Sequence, residues 1–588
     1  MRRVVVAVAA ACLVLTACGV TMPHSGPVHI TTATGSDRDD GSVTINPRGP
    51  AKGDTPGQIV KGFLDAMRAT PAITTTVARE FLTTEASDNW QPTGMVIYNA
   101  VLNPRGNNEA QTATLTNAVR TDSRGAWLGP VPPEESTVTF PMTQDEDGEY
   151  RISEPPPYVL VPLKWFAQRF QQASLYFFDP SGTVVVPEPV FVPQGSQFAS
   201  TLVKGLLLGP ATGLREQNYI PDGLSSFSVP VSSSGVARIE LTSDSGDAAT
   251  PTADQAELMI AQLAWTLQQD PTISRFKLTI DDRAVQLQGE TEFDVDEHGH
   301  DYAPYVAGSS TQLFGLKDGL MVGGSPQNLE TVTGPFGTAD FSLRTVSVDL
   351  RAENVAGVSS SGDTLWLAPV KDTGVIPQAL ITNGEDLLRP AWDFTGRLWE
   401  VDRRRSGAVV SYLFKGHLRE VEVTGISGED VKDFLVSRDG SRLVAVIREN
   451  AEEDAIVVSR ILTTGDGQVT QVLPAHDISD PAGEGQIRDI AWRSPTSLVI
   501  LRPVSRDLFR VGSASVDGST GPASISIPVK DDVVSLAGTP NEQQPIYTFA
   551  RAEATDDVPA HAVLGDLAGE QADQVTLDPG VTMLAYVG

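Results

Sequence analysis

The sequence predicts a multidomain protein in which two small α+β domains, a cone and then a second module, precede an all-β propeller of about six blades. The chain has 588 residues, more than one hydrophobic core usually serves at roughly 100–200 residues per domain. Helix and strand patterns alternate up to about residue 292, and no convincing helical period follows residue 310. Beyond that point short strands and turns recur at intervals of roughly 35–55 residues, the spacing of four-stranded propeller blades.

Residues 1–17 have the features of a lipoprotein signal peptide. Arg2 and Arg3 supply positive charge, and the apolar run 4–15 is too short to cross a bilayer as a helix, which takes roughly 20 residues. The run ends in Leu15-Thr16-Ala17-Cys18, the pattern read by bacterial lipoprotein-processing enzymes. We therefore predict cleavage of the Ala17–Cys18 bond, which leaves Cys18 as an S-diacylglyceryl and N-palmitoyl cysteine. The alternative is an ordinary secreted protein with a chance cysteine at this position.

Composition narrows the classes of partner. The formal net charge is −31, which argues against nucleic acid because phosphate binding needs a basic surface. The other cysteine, Cys12, lies inside the signal, so the mature chain has no intramolecular disulfide. No comparable apolar run follows the signal, and we expect nothing downstream to cross a membrane.

Residues 18–53 are rich in Gly, Pro, Ser, Thr and Asp, which predicts a flexible tether. The first α+β domain spans residues 54–155. Its first helix begins at Thr55 and Pro56, and a second amphipathic segment ends near Trp90. Alternating patterns then predict strands at 95–102, 112–120, 137–142 and 150–152.

The second α+β domain spans residues 156–292 and follows the triple proline 155–157. A buried strand at 175–178 precedes a helix that starts after Ser196 and stops at Gly209-Pro210. Strands are predicted at 227–231 and 236–241. Thr252 and Gln255 form a capping box that opens the next helix, and a hairpin of 276–280 with 284–287 closes the domain.

A linker, 293–309, leads to the propeller, 310–588. The propeller prediction rests on a recurring phrase in which an apolar strand enters a polar turn and leaves as a second apolar strand. Copies begin at Val355, Pro390, Asp433, Asp489 and Val533. A pair of β-sandwiches is the structural alternative.

Together these parts resemble the actinobacterial LpqB lipoprotein family over essentially the whole mature chain. The most specific stretch is similar to the GerMN module of sporulation and germination proteins, and it consists of Leu175-Tyr176-Phe177-Phe178, residues 202–210, Ile220-Pro221-Asp222-Gly223 and the helix from Thr252. The first domain resembles an NTF2-like cone. The resemblance implies a non-enzymatic protein, lipid-anchored on the outer face of the cell membrane, that assists the MtrA–MtrB two-component system by binding the extracellular domain of the sensor histidine kinase and so affects cell-wall and division physiology.

Only Cys18 carries over as a functional position, and we expect no catalytic residue, metal or cofactor. Glu297-His298-Gly299-His300-Asp301 is the best metal candidate, but its spacing places no third ligand and a flexible polar linker is favoured. Adjacent carboxylates at Asp281 and Asp282 point apart. Other positions are assigned to packing or exposed surface: Trp90, Tyr98 and Trp127 to the first domain's core or a cavity in it; Trp366, Trp392, Trp399 and Trp492 to inter-blade packing; and His417, His476 and His561 to the surface.

Two other functions remain open from the sequence. The first is an envelope hydrolase or lyase that uses the central funnel of the propeller, and the second is a solute- or wall-fragment-binding lipoprotein. Clustered His, Asp and Glu side chains at the inner strand ends would favour the enzyme, and a deep enclosed pocket would favour the binding protein.

Overall fold

The computed structural model describes residues 47–69, 74–479, 485–505, 508–519, 527–530, 532–552, 561–567 and 574–588. All of them belong to one compact unit, residues 45–588. The predicted signal peptide, Cys18 and most of the predicted tether lie outside the described residues.

The first domain consists of three helices packed on two curved sheets. Its elements are α1 (Pro56–Ala66), α2 (Thr74–Arg79), α3 (Thr84–Asn89), β1 (Met95–Tyr98), β2 (Ala100–Val101), β3 (Arg105–Gly106), β4 (Ala110–Thr116), β5 (Val119–Thr121), β6 (Trp127–Pro130), β7 (Thr137–Gln144), β8 (Tyr150–Ile152) and β9 (Val159–Pro162). The sheet orders are β6-β5-β1-β9 and β2-β4-β7-β8, with β3 beside β4. The apolar face of α1, with Ile59, Val60 and Phe63, is fully buried in this core.

Local sequence explains how these helices begin. Thr55 and Gln58 form a capping box ahead of Pro56, as the predicted helix start required. The segment predicted as a second helix divides in two, because the Thr83 side chain accepts a hydrogen bond from the Ala86 backbone N–H (3.1 Å) and starts a new helix there.

The first domain's sheet extends beyond the triple proline. Strand β9 follows residues 155–157, yet it pairs in parallel with β1, Met95 opposite Val159 and Tyr98 opposite Pro162. The prolines therefore lie within the connection between β8 and β9 rather than after the last strand of the sheet.

The central domain begins with the short helix α4 and then places two longer helices against a β-hairpin and a mixed sheet. Its elements are α4 (Leu163–Arg169), β10 (Phe170–Phe178), β11 (Val185–Pro193), α5 (Phe198–Leu207), β12 (Leu224–Ser225), β13 (Val236–Ser243), α6 (Ala253–Leu267), β14 (Arg275–Ile280), β15 (Arg283–Ala284) and β16 (Phe293–Asp294). The predicted capping box is confirmed: Thr252 and Gln255 open α6 through reciprocal side-chain-to-backbone hydrogen bonds.

Two predictions for this region were wrong. Residues 227–231 form no strand: the Phe227 side chain is 95% exposed, and the Val229 N–H donates to Ser200 Oγ on α5 (2.9 Å) instead of to a neighbouring strand. Residues 293–309 are not a flexible linker, because Phe293 is fully buried on β16, which pairs with β14. Further along, Trp265 Nε1 donates to the Gly299 carbonyl (2.7 Å) and fastens this segment to α6.

The propeller has six blades within the described residues, five of them four-stranded and one, blade 4, with a short fifth strand, which confirms the prediction of about six. Its strands are β17 (Leu313–Lys317), β18 (Leu320–Ser325) and β19 (Asn328–Thr331) in blade 1; β20 (Leu343–Val348), β21 (Asn354–Ser359), β22 (Leu365–Pro369) and β23 (Gln378–Ile381) in blade 2; β24 (Ala391–Trp392), β25 (Leu398–Arg404), β26 (Gly407–Phe414) and β27 (His417–Val421) in blade 3; β28 (Val431–Val436), β29 (Arg442–Arg448), β30 (Asp454–Thr463), β31 (Val469–Val472) and the short β32 (His476–Asp477) in blade 4; β33 (Asp489–Ser494), β34 (Ser497–Ser505), β35 (Leu508–Ser515) and β36 (Ile527–Lys530) in blade 5; β37 (Asp532–Ala537), β38 (Tyr547–Ala552), β39 (His561–Asp566) and β40 (Gln574–Thr576) in blade 6; and β41 (Val581–Ala585). A one-turn helix, α7 (Pro335–Thr338), links blades 1 and 2.

The ring closes because β41, the last strand, pairs antiparallel with β17 and so completes blade 1. Residues that line the central cavity come from one edge strand of every sheet: the first strand along the chain in blades 2 to 6, and β41 in blade 1. The innermost strands β41, β20, β24, β28, β33 and β37 therefore surround a central channel.

The blade tryptophans pack between blades, as predicted. Trp392 and Trp492 stand at matching positions, and their Nε1 atoms donate to the carbonyls of Ser347 (3.2 Å) and Val436 (3.1 Å), each in the preceding blade. Trp399 lies in a core cluster shared by blades 3 and 4, and Trp366 packs on one shared by blades 1 and 2.

Candidate functional site in the propeller channel

The residues singled out from the sequence do not assemble into a site. Cys18 lies outside the described residues. His298 Nε2 is 3.7 Å from a Glu290 carboxylate oxygen, and His300 Nδ1 is 3.9 Å from Asp301. Within the described ranges, no group of three or more His, Cys, Asp or Glu side chains is placed to hold a metal ion.

Asp281 and Asp282 form the turn between β14 and β15, both with positive φ (46° and 62°). The Asp281 carboxylate accepts hydrogen bonds from the backbone N–H groups of Ala248 (2.6 Å) and Ser243 (2.8 Å) and from Ser243 Oγ (2.8 Å), and these bonds lower its pKa. Asp281 therefore fastens neighbouring loops together.

The aromatic candidates of the first domain pack rather than line a cavity. Trp90 and Tyr98 are each 4% exposed in the domain core. The Trp127 ring packs against Phe191 of the central domain, with 5.6 Å between ring centroids. Of the isolated histidines, His417 and His476 are exposed and His561 is half-buried.

The innermost propeller strands enclose a cavity of 360 Å³. Its lining is rich in cationic side chains although the whole chain is strongly acidic. Six basic residues face it: Arg344, Arg389, Arg403, Lys432, Arg438 and Arg488. Two acidic residues, Asp433 and Asp489, line it as well.

Three of these charges come from one position of the blade repeat. This position lies three residues before the end of the innermost apolar segment of the blade. It is occupied by Arg389 in blade 3, Asp433 in blade 4 and Asp489 in blade 5. Because successive blades are related by rotation about the channel axis, equivalent positions reach the channel at one level.

Asp433 and Asp489 share a hydrogen bond between their carboxyl groups. The Phe434 N–H donates to Asp433 Oδ1 (2.9 Å), and the Leu536 N–H donates to Asp489 Oδ2 (2.5 Å). Burial, together with the neighbouring Asp433 charge, raises the pKa of Asp489 well above its ordinary value. Burial also raises the pKa of Asp433. Both shifts favour the neutral, protonated form of these carboxyl groups.

Arg389 interacts electrostatically with these two carboxyl groups but makes no hydrogen bond to either of them. Burial lowers the pKa of its guanidinium, and Asp489 and Asp433 oppose that effect. Its Nε is buried, and no atom of the described residues accepts a hydrogen bond from it. Other basic side chains of the lining are paired: Arg344 and Arg403 with Asp386, and Lys432 with Asp454 at 2.5 Å.

Arg438 closes one end of the cavity and connects it to the central domain. Its guanidinium donates to the carbonyls of Val587 (2.8 Å) and Tyr305 (3.4 Å). Burial lowers the pKa of Arg438 to about 10.

A second buried ionic cluster joins the central domain to blade 4. Glu188 Oε1 on β11 lies 2.6 Å from Arg460 Nη1 and 3.2 Å from Arg442 Nη2. Arg460 also pairs with Glu216, and Arg442 donates to the Pro187 carbonyl (2.6 Å). Burial alone would lower the pKa of Arg460, but Glu188 and Glu216 raise it above the ordinary value.

Sequence reasoning missed both clusters. Aligning the recurring phrase, in which Val436 takes the place of Trp392 and Trp492, would have placed Arg389, Asp433 and Asp489 at one channel level. The junction cluster carries no such signal, because Glu188 and Arg442 are separated by 254 positions.

Three protein-family models match the chain. They are described as "Lipoprotein LpqB, N-terminal domain" over residues 49–167, "Sporulation and spore germination" over residues 174–286 and "Lipoprotein LpqB beta-propeller domain" over residues 319–549.

Similar proteins include lipoprotein LpqB of Thermobifida fusca, 26% identical over 92% of this chain and 94% of the relative. Lipoprotein LpqB of Streptomyces coelicolor is 25% identical over 93% of each chain. Among solved structures, the tandem GerMN domains of the sporulation protein GerM from Bacillus subtilis match 21% of this chain and 46% of that chain, at 16% identity and a TM-score of 0.18.

Proposed function

Because the chain belongs to the LpqB lipoprotein family, we propose that it is a lipid-anchored accessory protein of the MtrA–MtrB two-component system. In this role it binds the extracellular domain of the MtrB-like sensor kinase at the outer face of the cell membrane. The binding influences cell-wall and division physiology and involves no catalysis by the chain.

The observation that carries the proposal is the agreement of the Leu15-Thr16-Ala17-Cys18 sequence with relatives named lipoproteins over most of the chain. Within the described residues, no helix is long and apolar enough to span a bilayer. A lipid on Cys18 would supply the membrane attachment. Stable anchoring takes more than one acyl chain, and the diacylglyceryl group provides two.

Anchoring matters for kinase binding because it confines both proteins to one membrane surface. Confinement turns association into an effectively intramolecular event and raises the local concentration of the partner.

The anchor is tested by metabolic labelling with a fatty acid. Cys18→Ala should lose the label, and Cys12→Ala, a matched cysteine removal within the signal, should keep it. Label retained by Cys18→Ala would refute the lipidation site.

Kinase binding is tested by crosslinking intact cells and capturing the protein from solubilised membranes. The wild type and Cys12→Ala should recover the sensor kinase, and Cys18→Ala should recover much less of it at equal protein level. If the anchored wild type recovers no kinase, the partner is wrong even where the lipid label is present.

A further inference from the structure

The propeller channel has properties that kinase binding does not use. Its 360 Å³ cavity falls within the size range of small-molecule sites, roughly 300–1,000 Å³. Charged groups converge in it from three successive blades. One of them, Arg389, has a buried Nε with no acceptor among the described residues.

We propose that this channel is a binding site for a small hydroxylated oxyanion, a hydroxycarboxylate or an organic phosphate, held by the guanidinium of Arg389 beside the Asp433–Asp489 pair. This inference does not rest on the kinase partnership.

The unpartnered Nε of Arg389 indicates that the ligand carries a negative charge. A buried donor without an acceptor is unfavourable, and an arginine offers parallel N–H groups that match a carboxylate or phosphate. An oxyanion entering the channel would supply the acceptor that the described residues do not provide.

The charge balance also favours an anion. Arg344 and Arg403 share the single carboxylate of Asp386, and Lys432 pairs with Asp454. The remaining groups are three arginines, Arg389, Arg438 and the exposed Arg488, and the two carboxyl groups of Asp433 and Asp489. The channel thus keeps a positive excess, which also attracts anions toward its mouth.

The Asp433–Asp489 pair accounts for the hydroxyl in the proposed ligand. Both carboxyl groups line the cavity, and their oxygens can accept hydrogen bonds. A hydroxyl group next to the oxyanion can donate to Asp433, so a hydroxylated anion makes one more bond than a simple one.

The test measures binding to the full chain, purified in detergent, at low ionic strength. The probes are inorganic phosphate, glycerol 3-phosphate, D-lactate and, as the uncharged control, glycerol. Saturable heat in titration calorimetry and a rise in Tm are expected with D-lactate or glycerol 3-phosphate, and the two arms distinguish a carboxylate source from a phosphate source. Glycerol should give neither signal.

Arg389→Gln should weaken binding of the active probe at least about tenfold, which corresponds to about 1.4 kcal/mol. The matched control is Arg419→Gln, which removes the same charge from an exposed site on the outer strand β27 of the same blade. The control should bind as the wild type does.

A second variant tests the same site and keeps the proposal testable if Arg389→Gln does not fold. Replacing both Asp433 and Asp489 by Asn removes any negative charge of the carboxyl pair and should tighten the binding of inorganic phosphate. The proposal is overturned if no anion binds at millimolar concentration, if Arg389→Gln binds normally, or if the double variant weakens phosphate binding. It is equally overturned if Mg²⁺ or Ca²⁺ stabilises the wild type and the double variant loses that effect, since the carboxyl pair would then be a cation site.

Discussion

Glu188→Gln should loosen the contact between the central domain and the propeller. The substitution keeps the size of the side chain but removes the charge shared by Arg460 and Arg442. The three side chains are only 14%, 13% and 3% exposed, so water cannot replace the lost partner.

The magnitude follows from the burial of this cluster. Breaking a buried ion pair costs about 3–5 kcal/mol. The lower end, about 3 kcal/mol, applies here because Arg460 keeps Glu216 and Arg442 keeps the Pro187 carbonyl. For a cooperative unit of 150–250 residues this lowers Tm by about 6–12 °C.

Differential scanning calorimetry measures the shift, and Asp430→Asn is the control. Asp430 pairs with Arg448 at 3.8 Å, and the two side chains are 61% and 47% exposed. An exposed pair contributes at most about 1 kcal/mol, so this variant should move Tm by no more than about 4 °C. If the Tm of Glu188→Gln falls no further than that of Asp430→Asn, the junction cluster does not hold the domains together.

Two further predictions concern the blades. The pKa of Glu400 is raised well above its ordinary value by burial and by the nearby Asp402 charge, so the wild type loses stability as pH rises from about 4.3 toward the folded pKa. Glu400→Gln should remove this pH-dependent loss, so its free energy of unfolding in urea should rise relative to that of the wild type as the pH increases from 4 to 8. If the difference between the two proteins stays constant over this range, the prediction is wrong. Trp492→Phe should cost about 0.5–1.5 kcal/mol for the hydrogen bond to Val436, plus lost packing. Trp366→Phe, at a half-buried ring, should cost less, and equal losses would show that the inter-blade bond adds nothing.

Much of the fold could be predicted because it is encoded in local patterns. The capping box at Thr252 and Gln255 is a four-residue signal whose hydrogen bonds form within one turn, and it was found at the expected place. The blade count followed from a phrase repeated along the chain, each copy needing only its neighbours to bury its faces.

Predictions failed where distant contacts override local pattern. The apolar residues at 227–231 suggested a strand, but a serine on α5 takes one of the backbone donors. The polar segment around His298 suggested a linker, yet α6 provides Trp265 to hold it. Composition alone gives no indication that such a partner exists.

The candidate site was predictable only in part. The channel itself followed from the propeller prediction, and its charged ring was recoverable from the register of the repeats. The raised pKa of Asp489 was not predictable, because it depends on burial and on the nearby Asp433 carboxyl group of the neighbouring blade.

The closure of blade 1 by β41 has a consequence for how the molecule forms. Hydrogen bonds such as that from Thr582 to the Leu316 carbonyl span 266 positions, and pairings of such long range form slowly. Until residues 581–585 arrive, β17 offers an unpaired edge that can recruit strands of other chains and promote aggregation. A chain whose translation stops just short of these residues would carry nearly all of its blades and still be a candidate for proteolytic clearance.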